Sequence, residues 1–138
     1  MRLIIVDTGV LSRRLSNKEE YIKAFDYIGN ERIVITSITK IELFNWVRAY
    51  RSHLGEKKYK IIFASIDKFP TIHIDRKTST LAVELSQRYF TKIGDLLIAS
   101  VAIQYEIEIF TNNTKDFKNI KGVKLYTPPN YEEIAKTL

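Results

Sequence analysis

The sequence predicts an α/β fold built on a mostly parallel sheet, and three observations carry that prediction. Short apolar runs alternate along the chain with longer runs of helical period, the pattern of strands separated by crossover helices. The 138 residues suit a single domain, spanning residues 1–138, with one core. Apolar residues make up 45% of the chain and charged residues 28%, an ordinary balance for a folded chain, so neither disorder nor a membrane span is expected.

The elements follow in order. Leu3 to Val6 is the first strand. Asn17 with Glu20 resembles a capping box ahead of a helix whose Tyr21, Phe25 and Ile28 share a face, and Gly29 is placed to end it. Ile33 to Ile35 is the second strand. From Ser37 to about His53 a helix is expected whose apolar residues, including Ile38, Ile41, Phe44 and Trp46, surround its axis. Such a helix is covered on more than one side, either by a dimer mate or partner, or as a central helix within the monomer. Tyr59, Ile62, Phe63, Ile66 and Phe69 keep helical spacing until Pro70 stops the run. Ile72 to Ile74 is the third strand. Leu81, Leu85 and Tyr89 mark another helix, and Ile98, Val101, Ala102 and Tyr105 the one after it. Ile107 to Phe110 and Val123 to Tyr126 complete about five short strands, and "NYEEIAKTL" closes the chain as a short helix. No repeat or linker interrupts the series.

Composition narrows the chemistry. The absence of cysteine excludes disulfides, zinc–thiolate sites and cysteine nucleophiles, and two histidines, His53 and His73, do not make a multi-histidine metal site. A metal bound here is therefore hard and held by oxygen. The net charge of +6 attracts polyanions, of which phosphate backbones are the largest class. The first apolar run is too short for a signal peptide, and a cytoplasmic protein is expected.

The acids are the most informative residues. Asp7-Thr8-Gly9 is a tripeptide shared with aspartic proteases, but those enzymes face two such aspartates on an all-β scaffold, and this chain has one in an alternating pattern. A phosphatase of the Asp-x-Asp kind needs a second acid where Gly9 stands. Ligands of open α/β sheets sit beyond the carboxyl ends of the strands. Asp7 closes the first strand, and Asp116 follows "IEIF" by a short polar loop, so both point to the same edge. Taken singly, Asp7 suits a turn and Asp116 an Asx turn. Asp95 begins a helix, as its N-cap or as a site residue. Glu42 projects between Ile38 and Trp46, where a desolvated carboxylate requires either a Lys or Arg partner or a metal. A cluster of such acids stays ionised at neutral pH only with counter-charge, which Mg²⁺ or Mn²⁺ supplies while also binding a phosphate oxygen.

"IIVDTGVLS", "ITKIELF", "IGDLLIAS" and "FTNNTKDF" together resemble, in order and spacing, the motifs of the PIN-domain family and in particular its VapC-type toxins of toxin–antitoxin modules. The resemblance spans the chain and implies a three-layer α/β/α fold and a Mg²⁺- or Mn²⁺-dependent endoribonuclease. It implies that Asp7, Glu42, Asp95 and Asp116 are the catalytic, metal-binding acids, and that Thr8, Thr111 and Asn113 orient ligands or water. Arg13, Arg14 and Lys115 are candidates for RNA phosphates. A homodimer and a cognate antitoxin whose C-terminal segment covers the site are implied as partners. Two departures stand out: Gly9 replaces the common Asn or Ser, and Gly94 replaces a common Asn. The alternative is a PIN-like module that binds RNA or protein without cleaving it.

Overall fold

Ile4, Ile5 and Val6 are all fully buried, so strand β1 (Ile4–Val6) is covered on both faces, as parallel strands flanked by helices are. The computed structural model, which describes residues 2–138, places β1 inside a four-stranded parallel sheet with β2 (Ile33–Thr36), β3 (Thr71–Ile72) and β4 (Glu108–Phe110), in the order β3-β2-β1-β4. Ile4 is in register with Ile33 on one side and Glu108 on the other.

The two-residue side-chain period divides the core into two layers. Ile4, Val6, Ile33, Ile35 and Phe110 face α1 (Thr8–Leu15), α2 (Glu19–Ile28), α3 (Ser37–Ala49) and α5 (Glu56–Lys68), meeting Leu11, Phe25, Leu43 and Ile66. Ile5, Val34 and Ile109 face the other way, toward α6 (Arg76–Ser86), α7 (Ile93–Tyr105) and α8 (Thr114–Lys118), meeting Leu85, Val101 and Phe117. The result is the expected three-layer α/β/α arrangement. A short helix α4 (Arg51–Leu54) and a closing helix α9 (Tyr131–Ala135) complete it.

Connectivity fixes where a ligand can sit. The chain steps from β1 to β2 to β3 in one direction, then returns through α6 and α7 to lay β4 on the opposite side of β1. The crossovers therefore part at the carboxyl ends of β1 and β4, the switch point at which open parallel sheets form a crevice.

Several expectations are corrected. The fifth strand reduces to a single parallel bridge between Ile109 and Leu125, because the segment runs beside β4 for only one pair before Pro128-Pro129. The capping box is not formed: Lys18 is the N-cap of α2 and makes no side-chain cap bond, since Asn17 turns the chain through the left-handed region at φ 59°. Gly29 does end that helix, at φ 90°. The helix expected from Ser37 to His53 breaks at Tyr50 into α3 and α4. α3 is covered on two sides within the monomer, by the sheet through Leu43 and Val47 and by α5 through the contact of Phe44 with Phe63 at 4.3 Å between ring centroids. Its remaining apolar residues, Ile41 and Tyr50, stay exposed. α6 ends at Ser86, short of Tyr89, whose hydroxyl accepts from the Lys121 amide.

Candidate active site

Asp7 leaves β1 in an extended conformation and becomes the N-cap of α1, its Oδ1 accepting from the Val10 amide at 3.1 Å. A helix beginning immediately after "IIVD" was not foreseen, because Thr8-Gly9 reads as a turn. Oδ2 of the same carboxylate accepts from the Thr111 hydroxyl at the end of β4. Asp7 is only 7% exposed, and burial is the main cause that lifts its pKa from 3.8 to about 6. The bonds from Thr111 and Val10 oppose the rise, while the charges of Asp95 and Glu42 add to it.

Thr111, Asn112 and Asn113 form the loop that gathers the remaining acids. The Thr111 hydroxyl oxygen accepts from the Asn113 amide at 2.9 Å. The Asn113 side chain then donates to Asp95 at 3.1 Å and to Asp116 at 2.7 Å. Asp95 is not the N-cap of α7, a position held by Lys92 without a side-chain bond, but lies in the first turn, where the helix dipole favours an anion. Its pKa is raised first by burial and then by the charge of Asp116, and the Lys92 ammonium works against both. Asp116 sits in the first turn of α8 rather than in a loop, and is exposed.

Glu42 departs from expectation. It is exposed, not desolvated, and its partner is neither a cation nor a metal but the Thr8 hydroxyl, which donates to Oε1 at 2.7 Å. The side chain nonetheless borders the acids: a Cβ on Gly94 would lie 3.7 Å from Glu42 Oε2, so α7 meets α3 just before Asp95. A Cβ on Gly9 would lie 3.8 Å from Asp7 Oδ1 and 3.7 Å from Arg13, which marks the place of the missing polar side chain.

All seven expected acids and supporting polar residues thus meet at one edge of the sheet. Among the cations, Arg13 donates to the Gly9 carbonyl at 3.2 Å and stays beside the site. Lys115 is exposed next to Asp116. Arg14 turns away, over the Phe25 ring, into a groove between α1 and α5. Lys92 is the cation that sequence reasoning missed; its place three residues before Asp95 was the available signal.

The donor set is entirely oxygen and strongly anionic, which fits a hard divalent cation. Among the described residues, however, no three His, Cys, Asp or Glu side chains form a ready cluster for a metal ion. The acids are joined through Thr8, Thr111 and Asn113, and the Asn113 amide occupies the space between Asp95 and Asp116.

A parallel sheet with acids converging at this switch point defines a PIN domain, and the chain belongs to that family, whose sequence model matches residues 4–123. Within it, the chain is a homologue of VapC: it is 26% identical over 131 residues to the tRNA(fMet)-specific endonuclease VapC of Salmonella typhimurium, covering 91% of this chain and 97% of that protein. A toxin–antitoxin complex from Klebsiella pneumoniae superposes with a TM-score of 0.73 at 27% identity, covering 87% of this chain and 94% of that one. The DNA-bound VapBC of Salmonella typhimurium shares the fold, with a TM-score of 0.77 at 20% identity over 91% of this chain and 98% of that one.

Proposed function

We propose that this protein is a divalent-metal-dependent endoribonuclease and the toxin of a toxin–antitoxin pair, with residues 1–138 acting as one catalytic domain in the cytoplasm. The observation that carries the reading is the union of Asp7, Asp95 and Asp116 through the Thr111–Asn113 loop at the sheet's switch point. The similarity to a VapC endonuclease supports it, and that relative's tRNA specificity makes transfer RNA the first substrate to try.

Asp7, Asp95 and Asp116 would hold Mg²⁺ or Mn²⁺, which supplies positive charge to the phosphate and a more acidic water. Asn113 swings aside or hydrogen-bonds the ion's water shell, and Thr111 keeps Asp7 oriented. Glu42, exposed at the rim and aligned by Thr8, accepts a proton from the attacking water. Arg13 and Lys115 meet backbone phosphates, offsetting the repulsion between RNA and the acids.

Two surfaces support the partners. A groove of about 730 Å³ between α1 and α5, lined by Arg14, Trp46, Tyr50, His53 and Lys58, has an apolar floor and a cationic rim suited to an acidic antitoxin segment. Ile41, Phe90 and Ile93 are 64%, 110% and 76% exposed on neighbouring elements and suit a homodimer contact. Single charge insertions, Trp46→Glu and Ile93→Glu, are expected to weaken the first and second associations respectively, as read by light scattering.

The Asn113 amide wedged between two acids favours one other reading, a binding module without catalysis. Mapping RNA ends after induced expression separates the two. New ends at defined sites, lost in Asp95→Asn, fit the nuclease; intact RNA with retained RNA binding fits the module.

A further inference from the structure

Thr111 and Asn113 turn their side chains to the acids, whereas the residue between them, Asn112, turns inward. Its side-chain nitrogen is buried without a hydrogen bond, and so is the hydroxyl of Tyr21 on α2. These two groups face one another: Asn112 and Thr137, beyond α9, both lie close enough to the Tyr21 phenol to counter the rise in its pKa that burial causes. A buried polar group without a partner is costly, and each is the partner the other has within reach. The Tyr21 ring is itself fixed, fully buried, stacked on Phe110 at 6.4 Å and 14°, and covered by the Arg13 guanidinium at 5.9 Å.

We infer that Tyr21 is a positioning residue for the acid site: its hydroxyl anchors Asn112 and so sets the loop through which Thr111 and Asn113 hold Asp7, Asp95 and Asp116. The same ring props Arg13 at the edge of the site, linking a candidate phosphate contact to the loop. This inference rests on the nuclease reading for its consequence, but its structural part does not.

Tyr21→Phe keeps the ring, the stack and the Arg13 contact and removes only the hydroxyl. In hydrogen exchange on the full chain, the Asn113 amide, bonded to Thr111, is expected to exchange about tenfold faster in the variant, the order of one lost hydrogen bond, while the Ile109 amide in β4 is unchanged. With Mn²⁺ and a short RNA, kcat is expected to fall by a similar factor at constant KM, and Asn112→Ser is expected to add nothing to the loss in Tyr21→Phe. Equal acceleration at Asn113 and Ile109, no acceleration, or a loosened loop with unchanged kcat overturns the inference. A wild-type chain that leaves RNA intact overturns the nuclease reading instead, and the exchange ratio still decides whether Tyr21 anchors the loop.

Discussion

The Thr111 hydroxyl donates to Asp7 Oδ2 across 104 positions of sequence, tying the end of β4 to the end of β1. The same oxygen accepts from the Asn113 amide, so one hydroxyl orients both an acid and the loop that holds the others. Thr111→Val preserves volume and removes both bonds. It is expected to destabilise the chain by about 1–3 kcal/mol, the cost of leaving a buried carboxylate underbonded, as measured by urea unfolding.

Asp7 sets a pH dependence with a definite sign. Its folded pKa of about 6 lies above the unfolded 3.8, so the folded state holds the proton more tightly. The stability this contributes is full below pH ~4 and is lost as pH rises through about 6, a change of roughly 3 kcal/mol for a shift of about two units. In metal-free protein, Asp7→Asn removes the slope and is expected to melt higher than the wild type at pH 7.5. Adding Mn²⁺ is expected to reverse that order by stabilising only the wild type.

Glu42 separates activity from stability. It is exposed and bonded to one hydroxyl, so Glu42→Gln is expected to change unfolding free energy by less than about 0.5 kcal/mol. Cleavage is expected to drop by about a hundredfold or more, the scale of a lost general base. Parallel melting curves and initial rates check both.

α2 starts at Lys18 without a side-chain cap and with Glu19 and Glu20 in its first turn. Lys18→Ser supplies an oxygen to the free amides and is expected to add about 0.5–1 kcal/mol of stability, seen as a higher melting temperature with unchanged cleavage.

The sheet was legible because Ile4 to Val6, Ile33 to Ile35 and Ile107 to Phe110 are apolar on both faces, a demand that only a doubly covered strand meets. The acids were legible by their places at strand and helix ends. What escaped depended on the path of the chain between elements. Asn17 adopts a left-handed turn that moves the cap to Lys18, and Tyr50 breaks a run that is apolar enough to continue. Glu42 projects among apolar neighbours on a helical wheel, yet α3 packs inward through Leu43 and Val47 and leaves it in solvent. The inward turn of Asn112 toward Tyr21 joins residues 91 positions apart in sequence, and no local pattern announces it.

The central claim is that Asp7, Asp95 and Asp116 form a metal-dependent nuclease site. Its most direct test is cleavage of a transfer RNA by the purified chain with Mn²⁺, with EDTA, and in the Asp95→Asn variant, whose fold is checked by its melting curve. The account predicts cleavage at defined positions with Mn²⁺, none with EDTA, and a loss of about a hundredfold or more in Asp95→Asn. Equal cleavage in EDTA, or full activity in a folded Asp95→Asn, would contradict it.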